Sequence, residues 1–85
     1  KHIGEDYEGI ISSVTNFGFF AELETGIEGL VRMTDLRDDY YIFSDKDLSL
    51  LGEHTGRCFR IGDKVSITVA NASPETRQID FILKD

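Results

Sequence analysis

Three phenylalanines, Phe17, Phe19 and Phe20, occupy four consecutive positions together with Gly18. An exposed aromatic ring can stack on another flat group, whereas a buried ring adds to the hydrophobic core. A chain of 85 residues has little material for a core, so burial of all three rings is a real alternative to a binding role. The alternation of side chains along the strand that carries the rings indicates which rings are buried and which are exposed.

The alternation of side chains along a β-strand assigns two of the three rings. Within residues 19–23, Phe19 shares one face with two apolar residues, whereas Phe20 shares the opposite face with Glu22. Glu22 must be solvated, so we expect Phe19 in the core and Phe20 on the outside. Phe17 precedes this strand, and the glycine that follows it permits a break in the alternation, so its face stays open.

The elements that position these rings are β-strands. Short apolar runs bounded by Gly, Asn, Asp and Ser are typical of an all-β chain. The last two of five main strands show the period-two alternation of a half-buried sheet. The five predicted strands cover residues 7–14, 19–23, 27–33, 64–70 and 78–83.

The segment between Arg37 and Ile61 is too long to be a featureless connection in a compact domain. Its YYIF and LSLL runs, separated by SDKD, predict two short strands around a turn, and GEHTG predicts a second turn toward RCFRIGD. No segment predicts an amphipathic helix of three turns or more. We expect at most a single helical turn over Thr34–Leu36, capped by Thr34.

Five strands in a chain of this length indicate a small closed or partly open barrel, because closure removes unpaired strand edges. The oligonucleotide/oligosaccharide-binding (OB) barrel has this strand count and presents its second and third strands to a ligand. We therefore predict a five-stranded Greek-key barrel of the OB type, formed by residues 1–85 as one domain, with an expanded connection between strands three and four. The three phenylalanines belong to the ligand-facing part of such a barrel.

The charge balance restricts the partners. Nine Lys and Arg against sixteen Asp and Glu give a net charge of -7, which argues against a strong, purely electrostatic partner such as duplex DNA. A local basic patch or recognition by stacking remains compatible with it. The lone Cys58 excludes an internal disulfide and fits a reducing compartment. With no apolar run long enough to span a bilayer, we expect a cytoplasmic module without a membrane partner. The start at Lys1 without Met suggests a fragment of a larger protein.

Other chemistries find weak support. Two acidic pairs lie at positions 38–39 and 45–47, but such pairs are more often solvated turn residues, and no calcium-loop spacing follows them. His54 and Cys58 lack the second half of a zinc pattern, and no nucleophile elbow positions a serine. We expect no metal, no cofactor and no catalytic residue.

The motifs, taken in order, resemble the S1-type RNA-binding domain over nearly the whole chain. They are GIISSVTNFGFFAEL, GIEGLVRMTDL and RIGDKVSITVANASPETRQIDFIL. The middle segment, DDYYIFSDKDLSLLGEHTGRCFRIGDKV, is similar to the S1 domain near the carboxyl end of bacterial ribonuclease R-type exoribonucleases. Each motif alone is weak, but all of them together at this spacing are a strong signal.

The resemblance implies that RNA lies across strands two and three. Phe17 and Phe20 match the two phenylalanines of the Phe-Gly-x-Phe motif that stack on bases, an interaction worth ~1–3 kcal/mol per base. From the residues alone, Phe20 could equally cover the barrel rim or pack under the long connection. Arg32 stands where many members have His, and guanidinium can stack on a base or bind phosphate.

The polar half of the family site is altered. Many members carry an Asp and a basic residue around the last turn, and the matching positions here are Ser73 and Gln78. Arg77 could supply a displaced cation, and Lys64, at the start of the fourth strand, could line the same cleft. We expect weak binding that is largely independent of base sequence.

We therefore expect a monomeric binding module rather than an enzyme. It would hold single-stranded RNA for a 3′–5′ exoribonuclease catalytic domain elsewhere in the parent chain. An alternative from a different class is a protein-interaction barrel with weak or lost RNA binding, which Ser73, Gln78 and the net charge would favour. A nuclease activity of the isolated domain is the least supported reading.

Overall fold

The computed structural model describes residues 3–73 and 78–84, apart from the side chain of residue 73. Eight strands and one short turn of 3-10 helix make up this part of the chain. The strands are β1 (Asp6–Thr15), β2 (Gly18–Leu23), β3 (Glu28–Arg32), β4 (Tyr41–Ser44), β5 (Ser49–Gly52), β6 (Cys58–Arg60), β7 (Lys64–Ser73) and β8 (Gln78–Leu83). All five predicted main strands are present, with ends shifted by at most three residues.

Five of the strands close into a barrel in the order β1-β2-β3-β8-β7, and β1 also pairs with β7 to complete the ring. Every pair is antiparallel except β3 and β8, which run parallel. The predicted five-stranded barrel is thus confirmed. The expanded connection lies between β3 and β7, as predicted, and forms a separate sheet from β4, β5 and β6.

The core consists of the inward side chains of the barrel. Phe19 lies opposite Val31, Val31 lies opposite Phe81, and Phe81 lies opposite Val69. All four side chains are buried, and Phe19 is completely so. This confirms that the middle phenylalanine belongs to the core.

The second sheet closes one part of the core through aromatic contacts. The Phe59 ring of β6 stacks on Phe19 with 5.0 Å between ring centroids, and Tyr41 of β4 lies 5.4 Å from Phe59. The ring that packs against the connection is therefore Phe19. The sequence predicted β4 and β5 but not β6. A three-residue strand carries too short an alternation to stand out, and β6 forms because it pairs with β5.

The predicted helical turn is present, but its start differs from the prediction. A 3-10 helix spans Met33–Asp35 and has no side-chain cap, so the prediction that Thr34 caps it is wrong. The backbone N–H of Met33 is donated to the Phe17 carbonyl at 2.8 Å, which carries β3 directly into the turn and leaves Thr34 inside it. No helix in the described residues is long and apolar enough to cross a membrane.

Asp39 joins the start of β4 to the turn that follows β5. Its carboxylate accepts the backbone N–H of Tyr40 at 2.6 Å, of His54 at 3.0 Å and of Thr55 at 2.7 Å, as well as the Thr55 hydroxyl at 2.8 Å. Desolvation works to raise the pKa of Asp39, but the hydrogen bonds from Thr55, Tyr40 and His54 outweigh it and lower the pKa to about 2.

The neighbouring carboxylate also has a structural role. Asp38 accepts the Tyr41 hydroxyl at 3.1 Å and pairs with the Arg57 guanidinium at 3.3 Å. Burial, together with this acidic partner, raises the pKa of Tyr41 to about 12. The first acidic pair of the connection therefore holds the small sheet together.

We expect Asp39→Asn to lower the melting temperature at neutral pH, because it removes the charge that receives four hydrogen bonds. The folded pKa of Asp39 is about 2 and its ordinary value is 3.8. The stabilisation is therefore complete above about pH 4 and is lost as the pH falls toward 2. Thermal unfolding at several pH values should show wild type and variant converging in acid. Asp45→Asn, in the exposed β4–β5 turn, is the control, and a pH-independent difference would contradict the assignment.

Candidate nucleic-acid interface

The outer wall of the barrel carries a row of side chains across three strands. Phe20 of β2 lies opposite Leu30 of β3, and Leu30 lies opposite Asp80 of β8. Paired residues of neighbouring strands project to the same side of a sheet, so Phe20 is on the outside as predicted. It is half-buried.

Leu30 explains an irregularity in the sequence pattern. The alternation of β3 places Leu30 on the same side as Arg32, which would require a bulge if every apolar residue faced the core. The β2–β3 register is regular, and Leu30 is only 5% exposed although it lies on the outer wall. The wall beside Phe20 therefore has an apolar floor.

The turn between β1 and β2 decides the position of Phe17. Thr15 Oγ1 accepts the Phe17 N–H at 3.2 Å and donates to the Gly18 carbonyl at 3.1 Å. The Phe17 carbonyl in turn accepts the N–H of Met33. These bonds hold Phe17 outside the barrel, where it is 53% exposed. The sequence did not assign Phe17 to either face of the strand, and the structure places it on the solvent face.

Gly18 permits the close approach of this turn to β3. Its φ is +151°, and a Cβ added there would lie 2.1 Å from the Val31 carbonyl oxygen. Gly18 lies opposite Arg32 in the β2–β3 register. The glycine therefore brings the Phe17 turn alongside the strand that carries Arg32, which no residue with a side chain could do without displacing the backbone.

The two outer rings meet edge to face. The centroids of Phe17 and Phe20 are 6.5 Å apart and their planes are inclined by 88°. A flat ligand that stacks on one ring consequently meets the edge of the other. The pair forms a corner on the wall rather than one continuous flat surface.

Arg32 lies beside this corner in an ion pair that the sequence did not predict. Its NH2 group is 3.4 Å from Asp80 Oδ1, and the two side chains are 48% and 18% exposed. Asp80 Oδ1 is buried and accepts no hydrogen bond from the described residues. The alternation of β8 puts Asp80 outside, but only the parallel β3–β8 pairing brings it to Arg32.

The charges on the two sides of the rings differ in sign. Two positions along β2 from Phe20, Glu22 lies opposite Glu28 at the hairpin end, and Glu28 accepts a hydrogen bond from the Ser12 hydroxyl. At the other end of the same strand pair stands Arg32. A bound polyanion would be repelled from the hairpin and attracted toward Arg32.

The remaining predicted contacts lie farther from the rings or outside the described residues. Lys64 opens β7 opposite Ile10 of β1, so β1 separates it from Phe20. Gln78 is exposed at the start of β8. Arg77 and the Ser73 side chain lie outside the described residues, and their predicted roles stay predictions.

The barrel and its outer-wall corner can be compared with known proteins. The model of the family described as "S1 RNA binding domain" matches residues 1–84. This chain belongs to the S1 RNA-binding domain family. The resemblance inferred from its motifs is thereby confirmed.

Relatives of this S1 domain include ribonuclease R proteins. Over 81 residues it is 49% identical to ribonuclease R 1 of Lactococcus lactis, a match that covers 95% of this chain and 10% of that protein. It is 43% identical over 82 residues to ribonuclease R of Escherichia coli, with 95% and 10% covered. The chain thus spans about a tenth of the length of these curated relatives.

Solved structures agree with the sequence relatives. The S1 domain superposes on RNase R of Mycoplasma genitalium with a TM-score of 0.90 and 28% identity, covering 96% of this chain and 13% of that one. The same values hold for that RNase R in complex with ribose-methylated single-stranded RNA. The likeness to the ribonuclease R type of S1 domain is confirmed at the level of structure as well.

Gly18→Ala tests how the corner is built. We expect a much larger loss of melting temperature than for Gly56→Ala, because a Cβ at Gly18 meets backbone at 2.1 Å whereas one at Gly56 meets nothing within 4 Å. Gly56 also has a positive φ, +74°. Gly56→Ala therefore measures only the cost of placing a residue with a Cβ at positive φ, without a steric clash. Equal losses in thermal unfolding would show that the close approach to β3 is not needed.

Proposed function

We propose that this S1 domain binds single-stranded RNA at the Phe17–Phe20 corner and holds it for a 3′–5′ exoribonuclease catalytic domain in the same polypeptide. The observation that carries the proposal is the corner itself, formed by the exposed Phe17 ring of the β1–β2 turn and the half-buried Phe20 ring on the outer wall of β2, beside a cation. The match to an RNase R in complex with single-stranded RNA supports it.

Stacking explains how a domain with a net charge of -7 can bind a polyanion. Every base has a flat face, so an aromatic side chain binds single strands with little preference for sequence. Base pairs inside a duplex do not offer these faces to a protein. The edge-to-face corner suits an unpaired strand, whose successive bases need not remain parallel.

Arg32 adds the electrostatic part of the site. Its guanidinium is half-exposed and is held near the rings by Asp80. Asp80 offsets part of the positive charge but leaves donors of the guanidinium facing solvent. We infer that the Arg32 guanidinium binds a phosphate of the nucleotides that stack on Phe17 and Phe20.

In the parent protein, we propose that this domain raises the local concentration of RNA. The chain corresponds to about a tenth of its ribonuclease R relatives, and we place the catalytic centre in the remainder. A tethered site that releases and rebinds RNA raises the concentration of RNA near the nuclease without contributing a chemical step. The monomeric state and the cytoplasmic location stay predictions.

Substitution of the corner rings tests the binding mode. We expect Phe17→Ala and Phe20→Ala each to weaken the binding of a single-stranded oligouridylate by about 5-fold to 150-fold, which corresponds to the loss of ~1–3 kcal/mol of stacking. Fluorescence anisotropy at constant salt would measure this. Tyr40→Ala is the matched control, because Tyr40 is an aromatic residue that is 68% exposed on the connection. Unchanged affinity in both phenylalanine variants would favour the protein-interaction alternative.

A salt titration of Arg32→Ala separates phosphate contact from stacking. Each phosphate neutralised on a single strand contributes about 0.7 to the slope of log affinity against log salt concentration. We expect the slope of the variant to be shallower than that of wild type by about 0.7. A weaker affinity with an unchanged slope would instead assign Arg32 to stacking on a base.

A further inference from the structure

A second cationic feature lies away from the aromatic corner. A groove of about 450 Å³ separates β6 from the first residues of β7 and the end of β8. Among the residues that line it are Arg57, Cys58, Asp63, Lys64, Ser66 and Lys84. Three cations thus converge with one carboxylate, and Asp63 Oδ2 already accepts the Arg60 N–H at 3.0 Å. The lining of the groove therefore holds more cations than carboxylates, although the domain as a whole is acidic.

We propose that this groove binds the phosphate backbone of the same RNA strand, beyond the nucleotides that contact Phe17 and Phe20. The inference rests on the proposed function, because it assigns a continuation of the RNA path. The groove presents no exposed aromatic ring, since Phe59 is buried, so phosphate rather than base is the group that it would recognise.

Strand β8 connects the corner to the groove along the outer wall. Asp80 pairs with Arg32 at the corner, and Lys84 follows four residues later on the same side of the chain. At ~3.3 Å per residue these positions are about 13 Å apart. The N–H of Lys84 is donated to the Ser66 carbonyl at 3.0 Å, which places Lys84 against β7. Lys84, just beyond the end of β8, therefore continues the positive charge of Arg32, with the uncharged Ile82 between Asp80 and Lys84.

The carboxylates at the hairpin end of β2 and β3 disfavour one of the two directions in which the RNA strand could leave the corner. Glu22 and Glu28 occupy the hairpin end of β2 and β3 and are exposed. Phosphates that leave the corner in that direction would meet like charge. Phosphates that pass over Arg32 toward Lys84 would meet opposite charge, which is favourable. Lys64 has Glu8 and Glu22 on its β1 side, so the strand would reach it from Lys84 across Ser66.

The three cations differ in how readily they can accept a phosphate. Lys64 forms no ion pair with the described residues. Lys84 pairs with Asp6 at 3.2 Å but is 56% exposed. Arg57 pairs with Asp38 and lies over the Phe59 ring, 5.0 Å from its centroid. Exposed ion pairs contribute little free energy, so a phosphate can replace Asp6 as the partner of Lys84 at small cost.

RNA length distinguishes the groove from the corner. We would measure binding of a uridine tetranucleotide and a uridine dodecanucleotide to wild type and to the Lys64→Gln/Lys84→Gln double variant. The tetranucleotide should bind both proteins equally at the corner. The dodecanucleotide should bind the double variant several-fold more weakly, with a salt slope shallower by about 1.4, or 0.7 for each lost contact.

Asp6→Asn is the matched control for the ion pair. It removes the partner of Lys84 but keeps the lysine, so it should leave dodecanucleotide affinity unchanged or raise it. If the ion pair mattered only for stability, Asp6→Asn and Lys84→Gln would weaken binding alike, and the inference would be overturned. Lys64→Gln alone keeps every described ion pair and should still lower the slope by about 0.7 if the double variant fails to fold.

The result also separates this inference from the proposed function. The double variant could bind the dodecanucleotide with an unchanged salt slope while binding still depends on Phe17. This result would overturn the proposal that the groove binds RNA and would leave the proposed binding at the corner unaffected. Wild-type protein that binds neither oligonucleotide would overturn both. Chemical shifts of Lys64 and Lys84 amides that move only with the longer RNA would support the groove.

Discussion

The antiparallel pairing of β2 with β3 decides which side of the barrel each phenylalanine occupies. In the observed register Phe19 lies opposite Val31 inside, and Phe20 lies opposite Leu30 outside. A slip of one residue would exchange the two faces of the strand, placing a core ring in water and an outer ring in the core. The core and the candidate RNA site therefore depend on the same set of backbone hydrogen bonds.

The long connection stabilises this arrangement from the side of the core. Its Phe59 stacks on Phe19, so the ring between the two candidate RNA contacts is held by a different sheet. The Asp39 carboxylate in turn stabilises that sheet by accepting the backbone N–H groups of His54 and Thr55. The expanded connection is thus a structural element of the domain, and its aromatic residues extend a core that a short chain could not otherwise fill.

The distribution of charge reconciles an acidic composition with an RNA partner. Glu22 and Glu28 lie at the hairpin end of the aromatic corner, whereas Arg32 lies at its other end and Lys84 follows just beyond β8. Net charge describes the field far from a protein, and a strand bound on its surface responds to nearby charges, because salt screens the others beyond a Debye length of about 10 Å. Weak attraction combined with stacking also suits the proposed release of RNA toward a nuclease domain.

Sequence alone determined where the five main strands lie along the chain, the burial of Phe19 and the outward placement of Phe20, because side-chain alternation is a local property that the chain displays directly. Its motifs also determined the family. Only the tertiary structure decided the position of Phe17, the pairing of Arg32 with Asp80 and the groove beside Lys84. Each of these depends on contacts between distant segments, such as the parallel β3–β8 pair, and no local pattern specifies which strands become neighbours when a barrel closes.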